Sequence, residues 1–155
     1  MIETKSVLFV CTANQCRSPM AEAILKRYLN NMDPKEEWII ESAGTWTQEG
    51  FPATPYGVKA MAEFGLDTSK HKSQPISNDL LQRFSLILTM ESGHKEAIQI
   101  EFPHVANRVY LLSEMAGEFV PVLDPIGGTY DEYIQTAKEI DNWIINGLPK
   151  ILELI

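Results

Sequence analysis

The chain has 155 residues, 45% of them hydrophobic and 22% charged, a length and balance suited to one globular domain with one core. Its formal net charge of -8 argues against non-specific nucleic-acid binding, which draws its affinity from a basic face. No apolar run is long enough to span a bilayer, so no membrane partner is expected, and two cysteines five positions apart, Cys11 and Cys16, do not make the framework of a disulfide-stapled secreted domain.

The opening segment MIETKSVLFVC lacks the basic flank and small-residue cleavage site of a secretory signal, so it is expected to be structural and the chain to be cytoplasmic. Ser6 to Val10 is a continuous apolar run, the pattern of a strand buried on both faces. After a polar loop, Ser18 and Pro19 predict a helix start, with Ser18 as N-cap and Pro19 at the first helical position. Met20, Ile24, Leu25 and Tyr28 then recur at helical spacing. Trp38 to Ile40 predicts a second strand, closed by Ser42, Ala43 and Gly44.

A loop rich in Gly and Pro leads to a helix expected from Pro55 to Phe64 and stopped by Gly65. A short helix is expected at Leu80 to Phe84, a third strand at Ser85 to Thr89, and a helix from about Ser92. Arg108 to Leu112 predicts the fourth strand, and a long helix follows from about Asp131 to the end. Residues 1–155 contain no repeat, linker or low-complexity tract, so one domain is expected. Strands alternating with helices predict an α/β fold: three layers, a four-stranded parallel sheet with helices on both faces, and right-handed connections. Ligands of such sheets bind at the carboxyl ends of the strands, which is where Cys11 lies.

The segment Cys11, Thr12, Ala13, Asn14, Gln15, Cys16, Arg17, Ser18 joins a buried strand to a helix N-terminus. Such a loop can aim several backbone N–H groups at one point, backed by the positive end of the helix dipole. Arg17 adds a planar fork of donors suited to two phosphate oxygens. A cysteine at the base of a positive cup is in a setting that favours the thiolate, the nucleophilic form. These donors act over a few ångströms, inside the screening length of about 8 Å, and so can outweigh the distant negative surface. On spacing and context alone another reading stays open: a buried apolar Cys11 and a solvated Arg17.

The run VCTANQCRSPMAE resembles the signature of the low-molecular-weight protein tyrosine phosphatases, roughly V-C-x-G-N-x-C-R-S-P-x-A-E. Ser42-Ala43-Gly44, Gly65-Leu66-Asp67 with His71, and Asp124-Pro125 follow in the family's order, so the resemblance covers essentially the whole chain. It implies a Rossmann-like phosphatase domain and a hydrolase acting on phosphorylated proteins through a phosphocysteine on Cys11. It further implies that Arg17 binds the phosphate, that Asp124 is general acid and then base, and that Ser18 bonds to the thiolate. Asn14, Ser42 and His71 would support the loop, and Thr12, Ala13, Gln15 and Cys16 would complete the substrate cup. No cofactor and no metal is implied, and a monomer is expected. Cys16 is open to two readings, a small buried side chain or a redox partner that shields Cys11.

Three positions bear on substrate. Ala13 stands where many members have glycine. Gln15 is neither the bulky apolar residue of many tyrosine phosphatases nor the threonine of the protein-arginine phosphatases. Asp124-Pro125 is followed by Ile126-Gly127-Gly128, where many tyrosine phosphatases have adjacent tyrosines. Trp46 is a candidate aromatic wall for the substrate, or else a hydrophobic anchor. Phosphotyrosine is the first expectation, phosphoarginine the alternative. Thiol-dependent arsenate reduction stands behind both, because it needs cysteines outside the loop and this chain has none.

Overall fold

The computed structural model describes residues 2–155. Four strands, β1 (Glu3–Cys11), β2 (Ile39–Gly44), β3 (Phe84–Thr89) and β4 (Val109–Leu111), pair in parallel in the order β2-β1-β3-β4. Five α-helices accompany them: α1 (Arg17–Met32), α2 (Pro55–Glu63), α3 (Asn78–Arg83), α4 (Ser92–Glu101) and α5 (Tyr130–Leu154). The α/β architecture expected from the alternation is the one present.

The period-2 geometry of β1 divides the core. Val7, Phe9 and Cys11 face a cluster built from α1, α2 and α5. Leu8 and Val10 face the opposite cluster, with Leu80, Leu81, Ile98 and Val105. Val7 to Val10 are all fully buried, which is why their stretch reads as an unbroken apolar run. Each such side chain contributes roughly 1.5–3 kcal/mol by leaving water.

Element ends differ from expectation in ways that have local causes. The N-cap of α1 is Cys16, and Ser18 is the second helical residue. The Ser18 hydroxyl is committed to Asn14 and Cys11 and is therefore not a cap. The second strand begins at Ile39 and runs on through Gly44, while Trp38 turns its indole N–H to the Asp33 carbonyl. The short helix α3 starts earlier than predicted because the Ser77 hydroxyl caps it, accepting from the Leu80 N–H at 3.1 Å. Arg108 and Leu112 fall in short 3-10 turns, Pro103–Arg108 and Leu112–Ala116, so β4 keeps only three residues.

The chain leaves β1 for β2 on one side and returns to β3 on the other, so the order reverses at β1. Such a switch point opens a crevice at the carboxyl end of the central strand. Gly44 ends β2 against the loop that fills this crevice. A β-carbon there would stand 2.5 Å from the Thr12 carbonyl oxygen and 3.1 Å from the Ala13 carbonyl carbon, both backbone atoms with little room to move. The Gly44→Ala variant should lose about 1–3 kcal/mol, read as a lower urea midpoint at an unchanged m-value.

Candidate active site

The loop from Cys11 to Ser18 is fixed by its carbonyl groups. The Cys11 oxygen accepts from the Thr45 N–H at 2.9 Å, that of Thr12 from Trp46 N–H at 3.0 Å, and that of Gln15 from Thr54 N–H at 2.8 Å. The Cys16 oxygen accepts from Met20 N–H at 3.2 Å. The Asn14 oxygen lies 2.7 Å from His71 Nε2, which must donate because a carbonyl cannot. In a trans peptide the N–H of the next residue points opposite to the carbonyl. The N–H groups of Thr12, Ala13, Gln15, Cys16 and Arg17 are therefore turned away from the surrounding protein, into the cup of the loop.

Asn14 is fully buried and holds a left-handed backbone, φ 57°. That conformation costs a non-glycine residue of order 1 kcal/mol and persists only where contacts fix it. The Gln74 N–H donates to Asn14 Oδ1 at 2.9 Å, which sets the amide's orientation. Its Nδ2 then donates to Ser18 Oγ at 2.8 Å and to Ser42 Oγ at 2.9 Å. The Ser42 hydroxyl in turn donates to Glu22 Oε1 at 2.7 Å. Ser18 has accepted from Asn14, so its hydroxyl proton is free to point at Cys11 Sγ, 3.0 Å away.

The two cysteines are both reduced and both buried. They differ in surroundings. Burial first, then the negative charge of Asp124 and of Cys11, pushes the Cys16 thiol up to about 12. Cys16 is thus held as a neutral thiol, while the Ser18 hydroxyl lies 3.0 Å from the Cys11 sulfur.

Arg17 is the largest fully buried side chain, 1% exposed. Its Nη1 donates to Glu91 Oε2 at 2.5 Å and to the Val122 carbonyl at 2.7 Å. Its Nη2 lies 3.6 Å from Asp124 Oδ2 and 3.5 Å from Thr12 Oγ1. Asp124 stands on the loop before α5, its Oδ1 accepting from the Ile126 N–H at 3.1 Å. The turn behind it closes through Gly128 N–H to the Pro125 carbonyl at 2.8 Å, with Gly127 in the left-handed region.

Ala13, Gln15 and Trp46 lie together at the mouth, where they line a shallow hollow of about 480 Å³ with Thr47, Gln48 and Phe51. Trp46 is 85% exposed, so it is not a buried anchor. The structure thus gathers every sequence-predicted site residue at one end of the sheet. It adds four that the sequence reading missed: Gln74, Glu22, Glu91 and His94. Glu91 had a signal, since it follows the third strand at its carboxyl end. His94 is 8% exposed, with Nε2 2.9 Å from Thr12 Oγ1 and Nδ1 3.3 Å from the Glu91 N–H.

Replacing Asn14 by Ala leaves the Gln74 N–H without its partner, removes a donor from Ser18 and from Ser42, and keeps the left-handed backbone. We expect the Asn14→Ala variant to unfold with about 2–3 kcal/mol less free energy, measured by urea titration.

Comparison with known proteins agrees with this geometry. The model of the family described as low molecular weight phosphotyrosine protein phosphatase matches residues 6–152. A protein-arginine-phosphatase of Bacillus subtilis is 36% identical over 136 residues, 87% of this chain and 89% of that protein. The low molecular weight protein-tyrosine-phosphatase PtpB of Staphylococcus aureus is 34% identical over 139 residues, 90% of this chain and 94% of that protein. The crystal structure of a low molecular weight protein tyrosine phosphatase from T. tengcongensis superposes with a TM-score of 0.87 at 34% identity, covering 94% of this chain and 98% of that one. With the Cys11–Ser18 loop, a buried arginine and the loop that carries Asp124 in one crevice, and a family match over almost its full length, the chain belongs to the low molecular weight phosphotyrosine protein phosphatase family, whose members are cysteine-dependent enzymes.

Proposed function

We propose that this chain removes phosphate from phosphotyrosine in proteins through a phosphocysteine on Cys11, as a single catalytic domain. The observation that carries the reading is the convergence on Cys11: Ser18 Oγ 3.0 Å from its sulfur, inward N–H groups around it, and Arg17 within 3.6 Å of Asp124.

In the first step the Cys11 sulfur attacks phosphorus and the bond from phosphorus to the phenolic oxygen breaks. Asp124 gives its proton to the departing oxygen. The loop N–H groups and Arg17 hold the equatorial oxygens, where charge is spread in the transition state. In the second step water attacks phosphorus and gives its proton to Asp124, while the sulfur-phosphorus bond breaks. Ser18, directed at the sulfur by Asn14, stabilises the departing thiolate with its O–H. Inorganic phosphate leaves and the enzyme is restored. None of these bond changes calls on a metal or an organic cofactor.

Two free cysteines, with none outside the loop, fit a chain working in the reducing cytoplasm, and the chain is proposed to act as a monomer. Among the described residues, no helix is long and apolar enough to cross a membrane.

A second reading has its own support. The hollow at the mouth is lined by Trp46 and Phe51, and the residue after Asp124-Pro125 is the 60% exposed Ile126 rather than a tyrosine. The 36% identical Bacillus subtilis relative is named for phosphoarginine. The same loop chemistry would then cleave a phosphorus-nitrogen bond.

Cys11→Ser should abolish turnover of a phosphotyrosine peptide. Asp124→Ala should lower kcat on phenolic phosphates by about 10²–10⁴-fold, the usual worth of a positioned acid. Full activity of Cys11→Ser would sink the mechanism. Kinetics on matched phosphotyrosine and phosphoarginine peptides decide the substrate: a higher kcat/KM on phosphotyrosine is expected, and the reverse order gives the second reading.

A further inference from the structure

We propose that His94 is a positioning residue: as a neutral imidazole it ties Thr12 to the backbone of Glu91, and through both it sets the Arg17 guanidinium for phosphate. This rests on the phosphatase reading above.

The bonding pattern admits one form of the ring. The Glu91 N–H can only donate, so Nδ1 of His94 accepts from it at 3.3 Å. Nε2 then carries the proton and donates to Thr12 Oγ1 at 2.9 Å. The ring bridges the carboxyl ends of two neighbouring strands, β1 through Thr12 and β3 through Glu91. Those two residues also touch the two halves of the guanidinium. The Glu91 carboxylate holds Nη1 at 2.5 Å, and the Thr12 hydroxyl sits 3.5 Å from Nη2. His94 reaches no reacting atom; it fixes the residues that fix Arg17.

Protonation would undo this. An imidazolium donates from both nitrogens, so Nδ1–H would face the Glu91 N–H, donor against donor. The charged groups facing the ring are Arg17 on α1, Asp124 on the acid loop and Glu91 at the start of its own helix. Lys95, the next residue on α4, is turned to Glu114. Burial, then Arg17, lowers the His94 pKa from its ordinary 6.5, against the opposing pull of Glu91 and Asp124. A base with a depressed folded pKa stabilises the native arrangement above its unfolded pKa, and that contribution is lost as pH falls through the folded value. The arrangement is therefore complete at neutral pH and fails on the acid side.

The test uses the intact chain and three variants, with a phosphotyrosine peptide as substrate and inorganic phosphate as competing ligand. His94→Gln places an amide N–H near the position of Nε2, and His94→Asn places an amide oxygen near Nδ1. His94→Ala should raise KM and the phosphate inhibition constant about tenfold, with a smaller loss in kcat, the scale of one lost hydrogen bond. His94→Gln should recover phosphate affinity to within about threefold of wild type, whereas His94→Asn should recover the unfolding midpoint without the affinity. The ratio of wild-type to His94→Gln kcat/KM cancels the other ionisations; it should be constant above about pH 7 and fall toward about pH 5. An Ala variant with wild-type phosphate affinity overturns the proposal. So does a flat ratio, or equal losses in Ala and Gln that track stability alone. If the Ala variant matches wild type while Arg17→Lys loses phosphate binding, positioning by His94 fails and the phosphatase reading stands. A wild-type chain that binds no phosphate and turns over no substrate overturns both.

Discussion

The carboxyl end of the sheet is organised around one buried cation. A guanidinium taken out of water costs several kcal/mol unless its donors and its charge are met, and Arg17 is 1% exposed. Its partners come from three separate parts of the chain: Glu91 beyond β3, Val122 and Asp124 on the loop before α5, and Thr12 in the loop after β1. Meeting that one requirement brings the three parts to a common point. The loop before α5 has no strand or helix of its own, and Val122 is nearly fully buried there, with its N–H bonded to the Met90 carbonyl at 2.8 Å. Burying Arg17 thus places Asp124 as well.

Around this cation the loop is built so that its polarity faces one way. Five carbonyls, of Cys11, Thr12, Asn14, Gln15 and Cys16, are taken up by the protein outside the loop or by α1. The left-handed turn at Asn14 lets the backbone curl tightly enough for this, and the Asn14 side chain supplies the bonds that keep it there. The result is a concave surface of N–H groups at a helix N-terminus, which attracts an anion by geometry. A net charge of -8 is no obstacle, since the surface charges act from a distance through screening solvent.

Much of this was legible from sequence because it is local. The unbroken apolar run of β1, the stop at Gly65 and the eight-residue loop are all set by neighbours in the chain. The parts that were not legible are contacts across long separations. Glu91 lies 74 residues from Arg17, His94 82 from Thr12, and Gln74 60 from Asn14. No periodicity encodes such pairs. The misplaced cap at Ser18 has the same origin. A serine before proline at a helix start is a good cap by local rules, but a buried asparagine four residues earlier and a cysteine seven residues earlier claim its hydroxyl. Local preference gave way to the site.

The separation of reaction from substrate follows from depth. Cys11, Asn14, Arg17 and Ser18 are buried, and their side chains are held by bonds within the fold. A change at any of them propagates through a shared network, so the phosphorus chemistry is tightly constrained. The mouth is different. Trp46 and Phe51 are exposed apolar side chains on loops, and neither side chain bonds to the Arg17 or Asn14 networks. Such positions can vary without disturbing the cup. Relatives of this chain carry the names of both a protein-arginine-phosphatase and protein-tyrosine-phosphatases, and exposed loop positions of this kind are free to differ among them. The half-buried Gln15 joins the two regions: its carbonyl is locked by Thr54, and the residue lines the hollow together with Trp46 and Phe51. Residue type at that position can change the lining of the hollow while the bond that fixes the loop backbone stays in place.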